Sequence, residues 1–241
     1  MTEISPDDFE KKYVHNVYDN IAEEFDHSRY ALWPCVTQFL DTLPPQSVVL
    51  DIGCGNGKYL SYRTGDLVIH GCDTCQTLIN IARQRHPPAI LIKADCLDLP
   101  YPDCTFDAVI SVAVMHHLST PERRLQFMSE IHRVLKPGAP ALITTWASTM
   151  SDARKENTWI SVKTAVNTAV KTAVNTSVKT AVNTGAGIND YFVPWKNSNI
   201  RYYHLFDKHE LLYYAQDVFP STTQKDVYFE KDNWVLCVTK V

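Results

Sequence analysis

Three glycines follow directly on a short apolar run, at Gly53, Gly55 and Gly57 in the stretch VVLDIGCGNGKYL. The run Val48–Ile52 is rich in β-branched and aliphatic residues, which predicts a strand buried on both faces of a sheet. Glycine lets the chain turn sharply and lets a ligand approach the backbone. A strand, a glycine-rich turn and a helix opening at Lys58–Leu60 are typical of a nucleotide-type site in an open α/β sheet.

The spacing of this turn distinguishes between ligands. A dinucleotide fingerprint, G-x-G-x-x-G, needs glycine where the chain has Lys58, and a P-loop needs Ser or Thr where it has Tyr59. The carboxylate of Asp51 repels phosphate but suits a ligand that carries an ammonium group. The turn therefore favours S-adenosylmethionine, with an ordinary glycine-rich turn as the alternative.

Four further apolar runs alternate with helical patterns. We predict strands at 68–73, 89–94, 106–117 and 138–146, and helices at 77–84 and 122–135. This alternation indicates an α/β fold with a parallel, doubly wound sheet. Asp73 ends the second strand, where an acid usually binds ribose hydroxyls, and Asp95 and Cys96 follow the third strand, where an adenine edge would lie.

Composition and charge exclude several classes of protein. The 241-residue chain has a formal net charge of −4, so it is no general polyanion binder, and contact with nucleic acid needs a local basic patch. No run approaches the roughly 18 apolar residues that span a bilayer, and the acidic N-terminus predicts no signal peptide. The odd count of seven cysteines favours reduced thiols, and we predict no metal site. We expect a cytoplasmic protein, with the nucleus as the alternative.

The whole chain, 1–241, is predicted to form a single domain with two additions. An N-terminal helical lead occupies 1–45, with Tyr13, Val17 and Ile21 on one face of its helix. SVKTAVNT-like units repeat at 161–184, inside an insertion of about 155–187 that we expect to be disordered. A flexible basic tether is the alternative for this segment.

The chain after the repeat is aromatic and carries signals of regular structure. Asp207 and Glu210 stand at the N-cap and third position of a predicted helix. A closing hairpin is predicted to turn near 231–233.

Clusters of arginine, histidine and aromatic residues are candidates for substrate binding. They occur at Arg29–Tyr30 with Trp33, at His116–His117, at 201–204 and at Asn233–Trp234. Such side chains can stack a base and neutralise the charge of a substrate. Aromatics in the core and arginines on the surface are the alternative.

Several segments beyond the glycine turn carry a family resemblance. SRYALWPCVTQFL, SVAVMHH with TPERR, FVPW, RYYHLF and DNW together resemble the Trm9-type tRNA wobble-uridine methyltransferases. The resemblance covers nearly the whole chain outside 161–184. It implies the class I S-adenosylmethionine methyltransferase fold, Rossmann-like with a seven-stranded, mostly parallel sheet. It also implies methylation of 5-carboxymethyluridine at tRNA position 34 to the methyl ester, with a small zinc-binding activator subunit of the Trm112 type.

This chemistry suggests a role for each candidate residue. A carboxylate is ionised at neutral pH, so the site must orient it and exclude water, and it needs no general base. We expect Arg29 or Arg201 to hold the carboxylate through a planar guanidinium, and His116 to position the substrate. The other predicted substrate-binding residues are Tyr18, Trp33, His117, Trp146, Tyr202, His204, Asn233 and Trp234. The predicted cofactor-binding residues are Asp51, Gly53, Gly55, Gly57, Lys58, Asp73, Asp95, Cys96 and Val112.

The predicted strand Ala89–Ala94 is a candidate binding site for a partner protein. It should lie at a sheet edge and is apolar with one lysine, a poor barrier to strand pairing. We expect the Trm112-type subunit to add a strand there, with dimerisation as the alternative. The other expected partner is the tRNA anticodon stem-loop, and we expect no membrane contact.

Two other functions stay open at this point. One is a small-molecule O-methyltransferase in which His116 or His117 is the base. The other is a non-catalytic RNA-binding scaffold of the same fold, which is disfavoured by the intact Asp51, Gly53, Gly55 and Asp73.

Overall fold

Helices and strands alternate along the residues that the computed structural model describes: 4–28, 31–149, 159–162, 189–196, 199–220 and 226–241. The helices are α1 (Pro6–Glu10), α2 (Asn16–Ser28), α3 (Pro34–Asp41), α4 (Gln76–Arg85), α5 (Pro121–Val134) and α6 (Lys208–Val218), with a π-helical turn at Lys11–His15 and a 3-10 turn at Met115–His117. The strands are β1 (Val48–Ile52), β2 (Val68–Asp73), β3 (Ile90–Lys93), β4 (Ala108–Val112), β5 (Pro140–Trp146), β6 (Ile160–Ser161), β7 (Asp190–Trp195), β8 (Asn199–His204), β9 (Asp226–Glu230) and β10 (Asn233–Thr239). Within these ranges, no helix combines the length and the apolar character that a membrane span requires.

Seven strands form the main sheet, in the order β3-β2-β1-β4-β5-β10-β9. Strands β1 to β5 pair in parallel, and β10 runs antiparallel to both β5 and β9. The predicted seven-stranded, mostly parallel sheet is confirmed. The strand order reverses between β1 and β4, and open α/β sheets bind their ligands at the carboxyl ends of the strands beside such a point.

Helices cover both faces of this sheet because successive strand residues point to opposite sides. Leu50 of β1 packs with Phe127 of α5 and Leu211 of α6, and all three are fully buried. Val49, its neighbour in β1, packs on the other face with Val36 of α3. The core therefore consists of two layers with the sheet between them, which is the doubly wound arrangement.

The helix predicted to open at Lys58–Leu60 is absent, because residues 55–63 form successive turns. Gly53, Gly55 and Gly57 have φ values of 71°, 53° and 78°. Three left-handed residues in five interrupt the right-handed path that a helix needs. A Cβ added at Gly57 would also lie 2.9 Å from the Cβ of Ala82 in α4, so this glycine permits close packing of the turn on the helix.

The fourth predicted strand, 106–117, is shorter than expected. Strand β4 ends at Val112, and Ala113 takes a left-handed φ of 63°. The chain then enters the 3-10 turn that contains His116 and His117. The polar end of the predicted strand is therefore a separate turn at the carboxyl edge of the sheet.

A second, three-stranded antiparallel sheet has the order β6-β7-β8. Its strands β7 and β8 are formed by the aromatic segments Asp190–Trp195 and Asn199–His204. The predicted disorder is not supported at residues 159–162, since Ile160 pairs with Phe192 and Val162 is fully buried. The rest of the predicted insertion, with nearly all of the repeat, lies outside the described residues.

The remaining expectations about local structure agree with the chain. Tyr13, Val17 and Ile21 of the N-terminal lead are buried. Asp207 accepts a hydrogen bond from the backbone N–H of Glu210 at 2.9 Å and so caps α6. The closing hairpin turns at 231–232, between β9 and β10.

Substituting Gly57 tests the packing of the glycine turn. Gly57→Ala should lower the free energy of unfolding by about 2–4 kcal/mol, because it combines a left-handed alanine with a steric clash. Gly65→Ala is the matched control: its φ is 87°, but an added Cβ meets nothing within 4 Å. The control should lose only about 1 kcal/mol. Urea unfolding measures both, and equal losses would argue against the packing role.

Candidate active site

A cavity of about 660 Å³ lies at the carboxyl ends of β1, β2 and β4. This volume is typical of sites for small molecules and cofactors. The helical lead and β8 supply the facing wall. The cavity is lined by fourteen residues predicted from sequence: Tyr18, Trp33, Asp51, Gly53, Gly55, Lys58, Asp73, Cys96, Val112, His116, His117, Trp146, Arg201 and Asn233.

Two predicted residues on β8, Tyr202 and His204, do not line the cavity. Side chains alternate along a strand, so Tyr202 and His204 point away from the face that carries Arg201. Both bond to the buried Asp190, at 2.7 Å from the hydroxyl of Tyr202 and 2.7 Å from Nδ1 of His204. Their placement does not support direct contact with substrate.

Three further predicted residues lie elsewhere, and one is not described. Gly57 packs against α4. Asp95 is exposed and accepts a hydrogen bond from the backbone N–H of Leu97 at 2.9 Å. Trp234 packs on Phe229, with ring centroids 5.4 Å apart. Arg29 lies outside the described residues.

Asp73 connects the glycine turn to the end of β2. Its Oδ2 accepts the backbone N–H of Gly55 at 2.9 Å, and its Oδ1 accepts that of Cys75 at 2.8 Å. A Cβ added at Gly53 would lie 2.2 Å from Val114 Cγ2, so only glycine fits there. The turn is therefore fixed on one side by a carboxylate and on the other by an apolar side chain.

Asp51 presents a buried carboxyl group at the end of β1. It is 1% exposed, and its Oδ2 has no hydrogen-bond partner among the described residues. Burial raises the pKa of Asp51 to about 7; Lys58 opposes this shift and the neighbouring Asp73 adds to it. A cationic ligand would supply the partner that the carboxyl lacks.

Arg201 carries a buried positive charge into the same cavity. Its guanidinium lies over the rings of Trp195 and Tyr203, at 4.7 and 5.1 Å from their centroids. Nη1 donates to the hydroxyl of Tyr18 at 3.3 Å, and Nε is buried without a partner in the described part of the chain. A buried guanidinium with an unused donor suits an anionic ligand, because burial makes an uncompensated charge costly.

The hydrogen bonds of His117 determine where its proton lies. Nδ1 is 2.9 Å from the carbonyl oxygen of Tyr202 and must donate to it. Nε2, at 3.0 Å from the hydroxyl of Tyr18, therefore accepts. Burial and the nearby Arg201 lower the pKa of His117 to about 3, against the hydrogen bond to Tyr202. His117 is thus a neutral residue without a free lone pair.

His116 is held in the other neutral tautomer. Its Nδ1 accepts the backbone N–H of Trp146 at 3.2 Å, so the ring proton lies on Nε2. Burial, His117 and Arg201 lower the pKa of His116 well below its usual range. The ring also stacks on Tyr203, with centroids 4.7 Å apart at 16°. His116 can donate a hydrogen bond from Nε2, but its lone pair is occupied.

The helical lead supplies cavity residues that the sequence interpretation missed. Glu10 and Val14 were not predicted, yet they line the cavity together with the predicted Tyr18 at a spacing of four residues, which a helical pattern could have indicated. Glu10 is 1% exposed and accepts from the backbone N–H of Ser119 at 2.6 Å and from Arg123. It fixes the lead beside the 3-10 turn. Within the described ranges, no group of three or more His, Cys, Asp or Glu side chains is arranged to hold a metal ion.

Comparisons with known proteins define the class of this chain. Residues 50–143 match a family model described as a methyltransferase domain. A solved S-adenosylmethionine-dependent methyltransferase from Methanosarcina mazei superimposes with a TM-score of 0.65 at 19% identity, covering 87% of this chain and 98% of that one. The fold is the class I S-adenosylmethionine-dependent methyltransferase fold, and S-adenosylmethionine is the cofactor.

Curated relatives define the family more narrowly. The tRNA (carboxymethyluridine(34)-5-O)-methyltransferase of Schizosaccharomyces pombe is 34% identical over 256 residues, covering 97% of this chain and 98% of the relative. The Arabidopsis thaliana protein of the same name is 46% identical over 155 residues, 64% of this chain, but the match spans only 38% of that relative's length. The chain belongs to the tRNA (carboxymethyluridine(34)-5-O)-methyltransferase family.

The residues of the cavity fit this cofactor. Its ammonium group matches the unpartnered carboxyl of Asp51, and a ribose diol matches the carboxylate of Asp73. The bare backbone at Gly53 and Gly55 permits close approach.

Cofactor binding should release protons at neutral pH. S-Adenosylhomocysteine carries the same ammonium group, which should lower the pKa of Asp51 from about 7 and ionise it. Affinity should therefore rise with pH until Asp51 is ionised in the free protein. Calorimetry in two buffers of different ionisation enthalpy counts the protons. Asp51→Asn should abolish the release, and Asp217→Asn, at an exposed position, should not. Proton uptake by the wild type would contradict this assignment.

Proposed function

We propose that this chain methylates the carboxylate of 5-carboxymethyluridine at tRNA wobble position 34, using S-adenosylmethionine, to give the methyl ester. One observation carries the proposal: the buried guanidinium of Arg201, with its unused Nε, lies beside two histidines whose lone pairs are occupied. Such a site suits an acceptor that is already an anion. The names of the relatives support the same substrate.

The cofactor, when bound, supplies a methyl group activated on a positively charged sulfur. Asp51, Asp73 and the glycine turn would hold it. Arg201 would then orient the acceptor carboxylate through Nε and leave one oxygen free to react. The aromatic side chains of Tyr18, Trp146 and Tyr203 around it would exclude water, which leaves the carboxylate less solvated and more nucleophilic.

Arg201 is itself oriented by a chain of hydrogen bonds in which each group donates to the next. Nη1 of Arg201 donates to the oxygen of Tyr18, the Tyr18 hydroxyl donates to His117 Nε2, and His117 Nδ1 donates to the carbonyl of Tyr202. Because each step fixes the next donor, the guanidinium has a defined orientation before substrate binds. Preorganised donors of this kind are effective in catalysis.

Asn233 offers a means of recognising the base. Its Nδ2 donates to the carbonyl of Lys231 at 2.7 Å, so the remaining Oδ1 is an acceptor, and it is buried without a partner among the described residues. Uracil presents an N3–H donor, which this oxygen would accept. The Nε2–H of His116 would donate to an oxygen of the substrate.

Release of the product follows from the same electrostatics. The methyl ester is neutral, so it loses the charge attraction of Arg201 and regains water on leaving. The buried guanidinium therefore favours substrate over product without any change in the shape of the site.

Replacing the planar guanidinium tests the role of Arg201. Arg201→Lys keeps the charge but loses the Nε donor, so kcat/KM should fall about 10- to 100-fold, the equivalent of one charge-assisted hydrogen bond. The affinity for S-adenosylhomocysteine should stay within about twofold. Arg83→Lys, at an exposed position on α4, is the matched control. Unchanged kcat/KM in Arg201→Lys would remove Arg201 from the site.

We also propose that a Trm112-type subunit binds at β3. This strand lies at the edge of the main sheet, and Ile90 is 47% exposed. An exposed apolar edge favours pairing with another strand.

Charged residues at the β3 edge should prevent that pairing. Ile90→Lys and Ile92→Glu should each abolish co-purification of the subunit, whereas Tyr213→Glu, which replaces an exposed aromatic on α6, should not. Size-exclusion chromatography of the variants measures the complex. A complex that survives both edge substitutions would rule out this site. If the substitutions instead disrupt a homodimer of this chain, the edge serves self-association.

The deciding experiment is methyl transfer from labelled S-adenosylmethionine to tRNA with a carboxymethylated wobble uridine, followed by mass spectrometry of the nucleosides. It is run with and without the Trm112-type subunit. At saturating cofactor, a carboxylate acceptor is already ionised and gives no rising limb in the rate near neutral pH, whereas a hydroxyl acceptor must lose its proton and gives a rate that rises with pH. Cofactor binding without transfer to this tRNA would favour a small-molecule O-methyltransferase or a non-catalytic scaffold.

A further inference from the structure

Behind the cavity, His204 lies between two carboxylates. Its ring is buried, with Nδ1 at 2.7 Å from Asp190 Oδ1 and Nε2 at 2.8 and 2.9 Å from the two oxygens of Glu210. Ionised carboxylates only accept hydrogen bonds, so both ring nitrogens must donate. The geometry therefore requires an imidazolium at this position.

His204 and the three charged groups around it come from four elements. Asp190 belongs to β7, His204 to β8, Arg124 to α5 and Glu210 to α6. Arg124 Nη2 is 3.9 Å from Glu210 Oε1. Two cations thus face two anions, so the buried cluster has no net charge. It links the small sheet to helices α5 and α6, which pack on the main sheet.

Two tyrosine hydroxyls complete the hydrogen bonding of this cluster. Tyr202 donates to Asp190 at 2.7 Å, and Tyr214 donates to Glu210 at 3.3 Å. Arg124 Nε donates to the oxygen of Tyr214 at 3.0 Å. No other titratable group bonds to His204 in the described part of the chain.

The two faces of strand β8 contact different parts of the molecule. Arg201 and Tyr203 line the cavity, while Tyr202 and His204 point into the charged cluster. Among the described strands of the small sheet, β8 pairs with β7 alone. The position of Arg201 relative to the main sheet therefore depends on the hydrogen bond of His117 to the Tyr202 carbonyl and on what the opposite face of β8 contacts.

We propose that His204 is a positioning residue: as an imidazolium between Asp190 and Glu210, it fixes β8 so that Arg201 and Tyr203 face the substrate. This inference rests on the proposed function for its effect on catalysis. His204 does not touch the cavity, so it acts through the strand.

The proposal gives a direction for the pH dependence. Burial opposes the charge, but the hydrogen bonds to Asp190 and Glu210 prevail and raise the pKa of His204 above its usual value. A raised pKa in the folded protein means that the stabilisation is complete at low pH and is lost as pH rises through the folded pKa. Activity should therefore fall on the alkaline side, as one donor is lost and two carboxylates face a neutral ring.

Steady-state kinetics of His204→Gln provide the test. At pH 7, kcat/KM for the tRNA should fall about tenfold or more, because a misplaced Arg201 no longer orients the carboxylate. The Kd for S-adenosylhomocysteine should stay within about twofold. The alkaline fall in kcat/KM should disappear in the variant. His209→Gln, at an exposed position on the same helix as Glu210, is the matched control. Wild-type kcat/KM and pH profile in His204→Gln would overturn the proposal.

A second measurement does not depend on how the variant folds or on the substrate. A 1H–15N titration of the wild-type imidazoles should show His204 with both nitrogens still protonated above the ordinary histidine pKa of about 6.5, and Glu210→Gln should lower the pKa of His204. A His204 ring that is already neutral at about pH 6.5 would overturn the proposal. If the wild type binds cofactor but makes no methyl ester, the proposed function fails while the spectrum still decides the charge of His204.

Discussion

Burial of charge without a partner is the constraint on which this site depends. Asp51 at the end of β1 and Arg201 on β8 are both almost inaccessible to water, and each retains an atom with no hydrogen bond among the described residues. Such groups are costly in the free protein, so their cost must be recovered when a ligand binds. A cationic group beside Asp51 and an anionic group beside Arg201 would recover it. The ammonium group of the methyl donor and the carboxylate of the acceptor carry these charges.

The two sheets divide this work. The main sheet brings Asp51, Gly55 and Asp73 together through the ends of adjacent parallel strands. The small sheet supplies Arg201, and the helical lead closes the space between them through Glu10 and Tyr18. The cofactor half of the cavity is thus built from local strand–turn geometry. The substrate half depends on contacts between segments that are far apart in the chain.

This difference explains how much the sequence could predict. The strand at Val48–Ile52 and the acid at its end follow from hydrophobic pattern and glycine spacing, which are local. The helix at Lys58–Leu60 was wrong because glycine spacing does not reveal that all three glycines are left-handed. On β8, alternation predicts two faces but not which one meets the cavity, so Tyr202 and His204 were grouped with Arg201. Glu10 was missed because its partners, Ser119 and Arg123, lie more than a hundred residues away.

Because of the π-helical turn at Lys11–His15, the number of residues in the lead affects the geometry of the site. Glu10 is held on one side of it by Ser119, and Tyr18 on the other side bonds to Arg201 of β8. One residue corresponds to about 100° of rotation in an α-helix. A single deletion in this turn would therefore rotate Tyr18 away from Arg201 or withdraw Glu10 from Ser119. The number of residues in this turn thus controls whether the Tyr18 hydroxyl reaches Arg201.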